Sequence, residues 1–187
     1  MNAGIMKYWY AIQCASGKES VARKKIENLF SGYKTFFPRR ELEIRKSGKT
    51  SLQVTPLFKG YFFISSKSGM LYREAAELVK KINDNSATAI LYNVVGMNAA
   101  ESSIGSDTLV PVKKNEMDKL FELTQGEEVV PFSSYLKEGS ILKIISGPLK
   151  GLEALLVKVN SRKRRIRVAV ELFGKKQYVD LGASMVS

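Results

Sequence analysis

The stretch "SRKRRIRVAVELFGKKQYVDL", residues 161–181, decides how the C-terminal part of this chain is read. Ile166, Val168 and Val170 alternate with Arg165, Arg167 and Ala169. That is the two-residue period of a half-buried strand, with one set facing a core and the other projecting outward. Beyond "GKK", the run "KKQYVDL" reads as a second strand; upstream, "SILKIIS" and "EALLVKV" are further short candidates, set apart by "SGPLKG" and "NSRK". Short strands, punctuating turns and no helical period predict a small all-β barrel over residues 137–187.

The same stretch carries a second signal. Arg162, Lys163, Arg164, Arg165 and Arg167 put five cations into six positions, with no acid interleaved. A solvated strand face or a nuclear address are the ordinary explanations of such a run. Like charges crowded this closely repel one another, whereas solvated faces usually mix signs. The clustering therefore points to nucleic acid. Lys143, Lys150, Lys158, Lys175 and Lys176 lie on the same segment and widen the candidate nucleic-acid-binding set.

Charge across the whole chain agrees. The 187 residues carry a formal +12, with a pI near 9.7. Residues 137–187 hold 11 Lys/Arg against 4 Asp/Glu, and residues 1–136 hold 19 against 14, so most of the excess sits near the C-terminus. Such a balance speaks of polyanionic partners, not of fold.

The first part of the chain has a different rhythm. "KYWYAIQ" places Tyr8, Tyr10 and Ile12 on one face and Trp9, Ala11 and Gln13 on the other, as in a strand. "SGKESVARKKIENLF" then predicts an amphipathic helix, with Ser16 as N-cap, Glu19 completing a capping box, and Val21, Ala22, Ile26, Leu29 and Phe30 as its apolar stripe. Residues 34–65 read as strands around the polar hairpin tip "RKSGKT". "GMLYREAAELVKKIN" is a second helix with Leu71, Ala75, Leu78, Val79 and Ile82 inward, and "KKNEMDKLFEL" a third, closed by Gln125 and Gly126. The predicted class is α+β: an N-terminal sheet with flanking helices over 1–123, a linker over 124–136 broken by Pro131, and the barrel.

Catalysis finds little support. With no histidine and only Cys14, the chain offers no intrachain disulfide, almost no zinc ligands and no Ser-His-Asp or Cys-His machinery. "GKES" lacks the earlier glycine of a phosphate loop, since position 12 is isoleucine. Glu127 and Glu128 fall in the linker, and Asp84 and Asp107 stand alone. The reading is therefore no enzyme, no catalytic residues, no metal and no cofactor. No apolar run reaches the roughly 18 residues of a membrane span, and residues 1–14 lack a basic region followed by an unbroken apolar one, so a cytoplasmic protein is expected. The aromatic set Trp9, Tyr10, Phe58, Tyr61, Phe62 and Phe63 fits either a sheet core or an apolar groove for a partner helix.

These stretches together resemble a known family. "WYAIQCASGKESVARKKIENL" is similar to the first strand and helix of the NusG N-terminal (NGN) domain, and "PLFKGYFFI" to that family's "FFPGYVLV" strand. Residues 139–186 resemble its C-terminal KOW barrel, including a "GPF"-like turn at Gly147-Pro148-Leu149 and an "IFG"-like "LFG" at 172–174. Two departures stand out: Lys59 replaces the proline of "FFPGY", and residues 83–96 do not match the family's proline-containing turn. The acid-free basic run is most similar to specialised NusG paralogues of the LoaP type. The resemblance implies an elongation or antitermination factor, monomeric and away from membranes, that docks on the clamp helices of RNA polymerase through a surface including Trp9, Phe58 and Tyr61. It further implies that the KOW domain binds an RNA hairpin in the nascent transcript. Non-template DNA is a further contact known in the family, left open here by the mismatch over 83–96. A general factor whose barrel recruits a ribosomal or termination protein is the alternative.

Overall fold

The computed structural model describes residues 8–84, 86–95, 108–139 and 141–186. In chain order the elements begin β1 (Tyr8–Cys14), α1 (Glu19–Leu29), β2 (Lys34–Phe36), β3 (Arg39–Lys46), β4 (Lys49–Pro56), β5 (Tyr61–Ser66), α2 (Tyr72–Asn83) and β6 (Leu91–Val94). They continue α3 (Lys114–Thr124), β7 (Val129–Val130), β8 (Ser133–Glu138), β9 (Ile141–Ser146), β10 (Leu156–Asn160), β11 (Arg165–Leu172) and β12 (Lys175–Met185). Two compact units result: residues 1–37 with 59–114, and residues 38–58 with 115–187. The α+β class expected from the sequence is the one observed.

In the first unit, β2-β5-β1-β6 form an antiparallel sheet. The alternation read in "KYWYAIQ" holds. Tyr10 and Ile12 join Phe62 and Ile64 in one core with Ala22 and Ile26 of α1 and Ala75, Leu78 and Ile82 of α2. Trp9 and Ala11 face the opposite way, in register with Ser65 and Phe63.

Helix α1 starts differently from its sequence signal. Lys18 occupies the N-cap with no side-chain cap bond, so Ser16 and Glu19 form no capping box. Glu19 is buried instead, and its carboxylate accepts the Gly60 N–H at 2.8 Å. Val21 and Leu29 are exposed, which narrows the expected stripe to Ala22 and Ile26, with Phe30 partly buried. A carboxylate that satisfies the backbone amide of the turn before β5 outweighs local capping, because a buried amide without an acceptor costs more than an exposed cap contributes. Gly60 is at φ +77, and a Cβ there would stand 3.0 Å from the Cys14 carbonyl oxygen, so this close approach selects glycine. Helix α2 matches its prediction and is capped by Glu74, whose carboxylate accepts the Leu71 N–H at 2.7 Å.

The second unit holds two sheets. One has the order β10-β11-β12-β8-β9 and the other β4-β3-β7. Ile166, Val168, Val170 and Leu172 of β11 are buried, as their alternation requires. "EALLVKV" opens with a 3-10 turn at Glu153–Leu155 before β10, and the last strand runs on to Met185. The segment read as linker contains β7 and most of β8; β7 pairs in parallel with β3, and β8 in parallel with β12. The tip "RKSGKT" is a two-residue hairpin turn with Ser47 and Gly48 both at positive φ. α3 closes as expected, with the Gly126 N–H on the Phe121 carbonyl at 3.0 Å.

Candidate nucleic-acid interface

The basic run wraps the turn between β10 and β11. Arg162 and Lys163 lie in a 3-10 turn, Ser161–Lys163, capped by the Asn160 side chain, which accepts the Lys163 N–H at 3.0 Å. Arg164 then adopts the left-handed conformation, φ 51 and ψ 53, which lets the chain reverse into β11. Register sets the rows on the outer face: Lys158 pairs with Arg167 and Arg167 with Asp180, while Asn160 pairs with Arg165 and Arg165 with Gly182.

Not every cation of the run is free. Arg164 Nη1 lies 2.6 Å from Glu43 Oε1, and its guanidinium carbon stands 5.6 Å from the centre of the Phe132 ring. Arg167 makes two bonds to Asp180, at 2.7 and 3.2 Å. The run lacks acids only along the sequence; in space, β3 and β12 each supply one. The Arg167 hydrogen bond is the main cause holding the Asp180 carboxyl below the usual carboxylate range; the charges of Arg167, Arg40 and Arg165 add to it, and burial opposes.

The remaining cations converge. Lys158, Lys163, Arg165 and Arg167 surround a small cleft with Asn160 and Asp180. Arg165 is partly buried; its Nε has no acceptor among the described residues, and its Nη2 reaches only a long 3.5 Å contact to the Glu43 carbonyl. Nearby, burial first and Arg165 next lower the pKa of Arg40, with Asp180 acting against them. Among the described residues, no carboxylate lies within ion-pair distance of Lys158, Arg162, Lys163 or Arg165. Lys158, Arg162, Lys163 and Arg165 are thus the unpaired centre of the candidate set.

Four other candidates lie elsewhere. Lys175 and Lys176 open β12, opposite the far end of β11 and roughly 20–25 Å from Arg165 by strand rise. Lys143 belongs to β9, at the opposite edge of the sheet from β10, and Lys150 follows the turn after β9.

Of the aromatic set, Tyr10, Phe62 and Phe63 are buried, whereas Trp9, Phe58 and Tyr61 are only half-buried. Trp9 meets Phe36 edge to face at 6.0 Å. Trp9 and Tyr61 share the sheet face turned away from α1 and α2, four residue pairs apart in the β1–β5 ladder. Phe58 precedes β5 in the connection from β4.

Among the described residues, no group of three His, Cys, Asp or Glu is placed to hold a metal ion. Burial, helped by Glu19, pushes the Cys14 thiol up to about 12, so it remains protonated at neutral pH. Glu128 bonds Arg39 at 3.2 Å. Asp107, Asn85 and Gly96 lie outside the described residues. No helix among those described is long and apolar enough to cross a membrane.

Residues 7–121 match the family described as "Transcription termination factor nusG". The chain belongs to the NusG family. Relatives named "Transcription termination/antitermination protein NusG" align over nearly its whole length. The Xylella fastidiosa protein is 26% identical over 97% of this chain and 98% of its own, and the Thermus thermophilus protein 25% over 95% and 96%. The Helicobacter pylori protein is 21% identical over 97% and 98%. A solved structure described as "Domain interaction in Thermotoga maritima NusG" covers 94% of this chain and 93% of that one, at 22% identity and a TM-score of 0.48.

Sequence reasoning missed the hairpin β3–β4 as a neighbour of the basic run. Its two contributions, Glu43 and Arg45, lie more than a hundred residues upstream, and no local pattern links them to it.

Proposed function

We propose that this chain is a processive antitermination factor of the LoaP type, which rides on RNA polymerase and holds structured nascent RNA through its KOW barrel. The single observation that carries the reading is the convergence of Lys158, Arg162, Lys163 and Arg165 on one turn without carboxylate partners among the described residues. Phosphates supply the counter-charge such a turn lacks, and RNA stem-loops present phosphates and splayed bases together. The half-buried Trp9, Phe58 and Tyr61 are the proposed polymerase-facing residues, for the clamp helices. The protein works in the cytoplasm as a monomer and makes or breaks no bond. By favouring the elongating conformation of polymerase over the paused one, it shifts a population.

A stem-loop RNA titration across salt concentrations tests this. Neutralising about four phosphates gives a log-log slope near 3, at roughly 0.7–0.9 per phosphate. A flat response would reject the RNA reading.

The pairs Arg164–Glu43 and Arg167–Asp180 favour a second reading, because they neutralise part of the run. In it the barrel is a protein adaptor that recruits a ribosomal or termination protein. Under that reading Lys163→Glu leaves antitermination nearly unchanged.

A further inference from the structure

The turn that carries Arg162 and Lys163 does not stand alone. A cleft of about 440 Å³ is lined on one side by Arg162, Lys163 and Arg165 of the barrel, and on the other by Glu43, Ile44, Arg45 and Thr50 of the β3–β4 hairpin. Four cations face one carboxylate, and Glu43 is already engaged by Arg164. Arg45 is exposed and without a carboxylate partner among the described residues. Past it, Lys46 stands directly opposite Lys49 in the hairpin register. Like charges in that position oppose strand pairing, so the tip bears a folding cost that no ion pair among the described residues relieves.

The lining is mixed in a way that suits one kind of ligand. The cations suit phosphate oxygens, and the Thr50 hydroxyl, opposite Arg45 in the hairpin register, is a neutral donor. The volume lies in the range that encloses a drug-sized molecule, enough for a nucleotide unit of a chain. We propose that RNA is gripped between two arms, the β3–β4 hairpin through Arg45 and the barrel turn through Arg162, Lys163 and Arg165. The proposal rests on the RNA reading above and extends it to a part of the chain outside the KOW segment. Arg164 is then a positioning residue: its bond to Glu43 holds the barrel turn beside the hairpin and keeps the two arms in register.

The test uses the full chain and a fluorescein-labelled stem-loop RNA, followed by anisotropy at several salt concentrations. Arg45→Ala and Lys163→Ala should each weaken binding about three- to tenfold and each lower the salt slope by about one phosphate's worth. Arg45→Lys, which keeps the charge, should restore the slope, and Lys175→Ala, at the start of β12 and remote from the cleft, should change neither. Wild-type behaviour of Arg45→Ala beside a weakened Lys163→Ala overturns the two-armed grip and leaves the barrel reading intact. Absence of RNA binding by the unmodified chain, or indifference to both substitutions, overturns the RNA reading and the grip together.

Discussion

Arg164 Nη1 lies 2.6 Å from Glu43 Oε1, which joins the most basic turn of the barrel to a strand 121 residues earlier in the chain. The arginine occupies a left-handed backbone position at φ 51, where a side chain with a Cβ is strained.

That geometry separates two truncations. Arg164→Gly and Arg164→Ala both lose the ion pair, yet glycine relieves the backbone and alanine does not. Arg164→Gly should therefore be the more stable of the two by about 1 kcal/mol. Urea unfolding followed by far-UV circular dichroism measures it. Equal midpoints would mean that the turn does not keep residue 164 in the left-handed well.

Asp180 makes a pH-dependent contribution. Its carboxyl is held below the ordinary range in the folded chain, first by Arg167. A depressed folded pKa stabilises fully above the unfolded value, near 3.9, and the stabilisation is lost as pH falls through the folded value. Asp180→Asn should thus melt below the unmodified chain at neutral pH, because Arg40, Arg165 and Arg167 then repel without a screen. The gap should close as pH drops below about 4. A gap constant across pH would show that the loss is one of packing and not of charge.

Periodicity made much of this architecture legible. β1, α2, α3 and the alternation of β11 follow from local residue patterns, since each buries its apolar set on one side; the "RKSGKT" hairpin follows from its turn residues instead, for Leu52 and Val54 of β4 stay exposed. What stayed hidden depends on distant partners. The first turn of α1 reads as a capping box, but the Gly60 amide, in the turn before β5, takes the Glu19 carboxylate. β7 is two residues long and owes its existence to pairing with Arg39 and Arg40. At the site, the cation run was plain in sequence, whereas its neutralisation by Glu43 and Asp180, and the second arm at Arg45, arise only when β3 and β12 are brought alongside. Charge counted along a chain does not reveal which charges meet in space.

The position opposite Arg165 in the β11–β12 ladder explains a further requirement. Gly182 is buried, and a Cβ there would stand 2.5 Å from Phe132 Cε2 and 2.6 Å from the Glu41 carbonyl oxygen. The ring could shift, but the backbone oxygen could do so only by moving β3. Gly182→Ala should cost about 1–3 kcal/mol as overpacking. It should also speed amide exchange in β3 and β12 while leaving the fluorescence of Trp9, which belongs to the other compact unit, unchanged in the native state. Unaltered exchange in both strands would disprove the close approach.

Glu116 of α3 presents the last case, a buried carboxylate whose partners are two backbone amides. Phe173 and Gly174, both at positive φ, form the two-residue turn between β11 and β12. The Phe173 N–H reaches Glu116 Oε2 at 3.1 Å and the Gly174 N–H reaches Oε1 at 2.8 Å. Amide bonds to a carboxylate are stronger than neutral ones, and removing the acceptor strands both donors. Glu116→Ala should cost about 2–3 kcal/mol for that reason. Glu116→Gln should recover only part, because its amide nitrogen turns a donor toward one of the two N–H groups. Thermal melts of the two variants, with exchange rates at residues 173 and 174, give the answer. If the glutamine variant melts with the unmodified chain, one accepted bond suffices and the carboxylate charge contributes nothing to the turn.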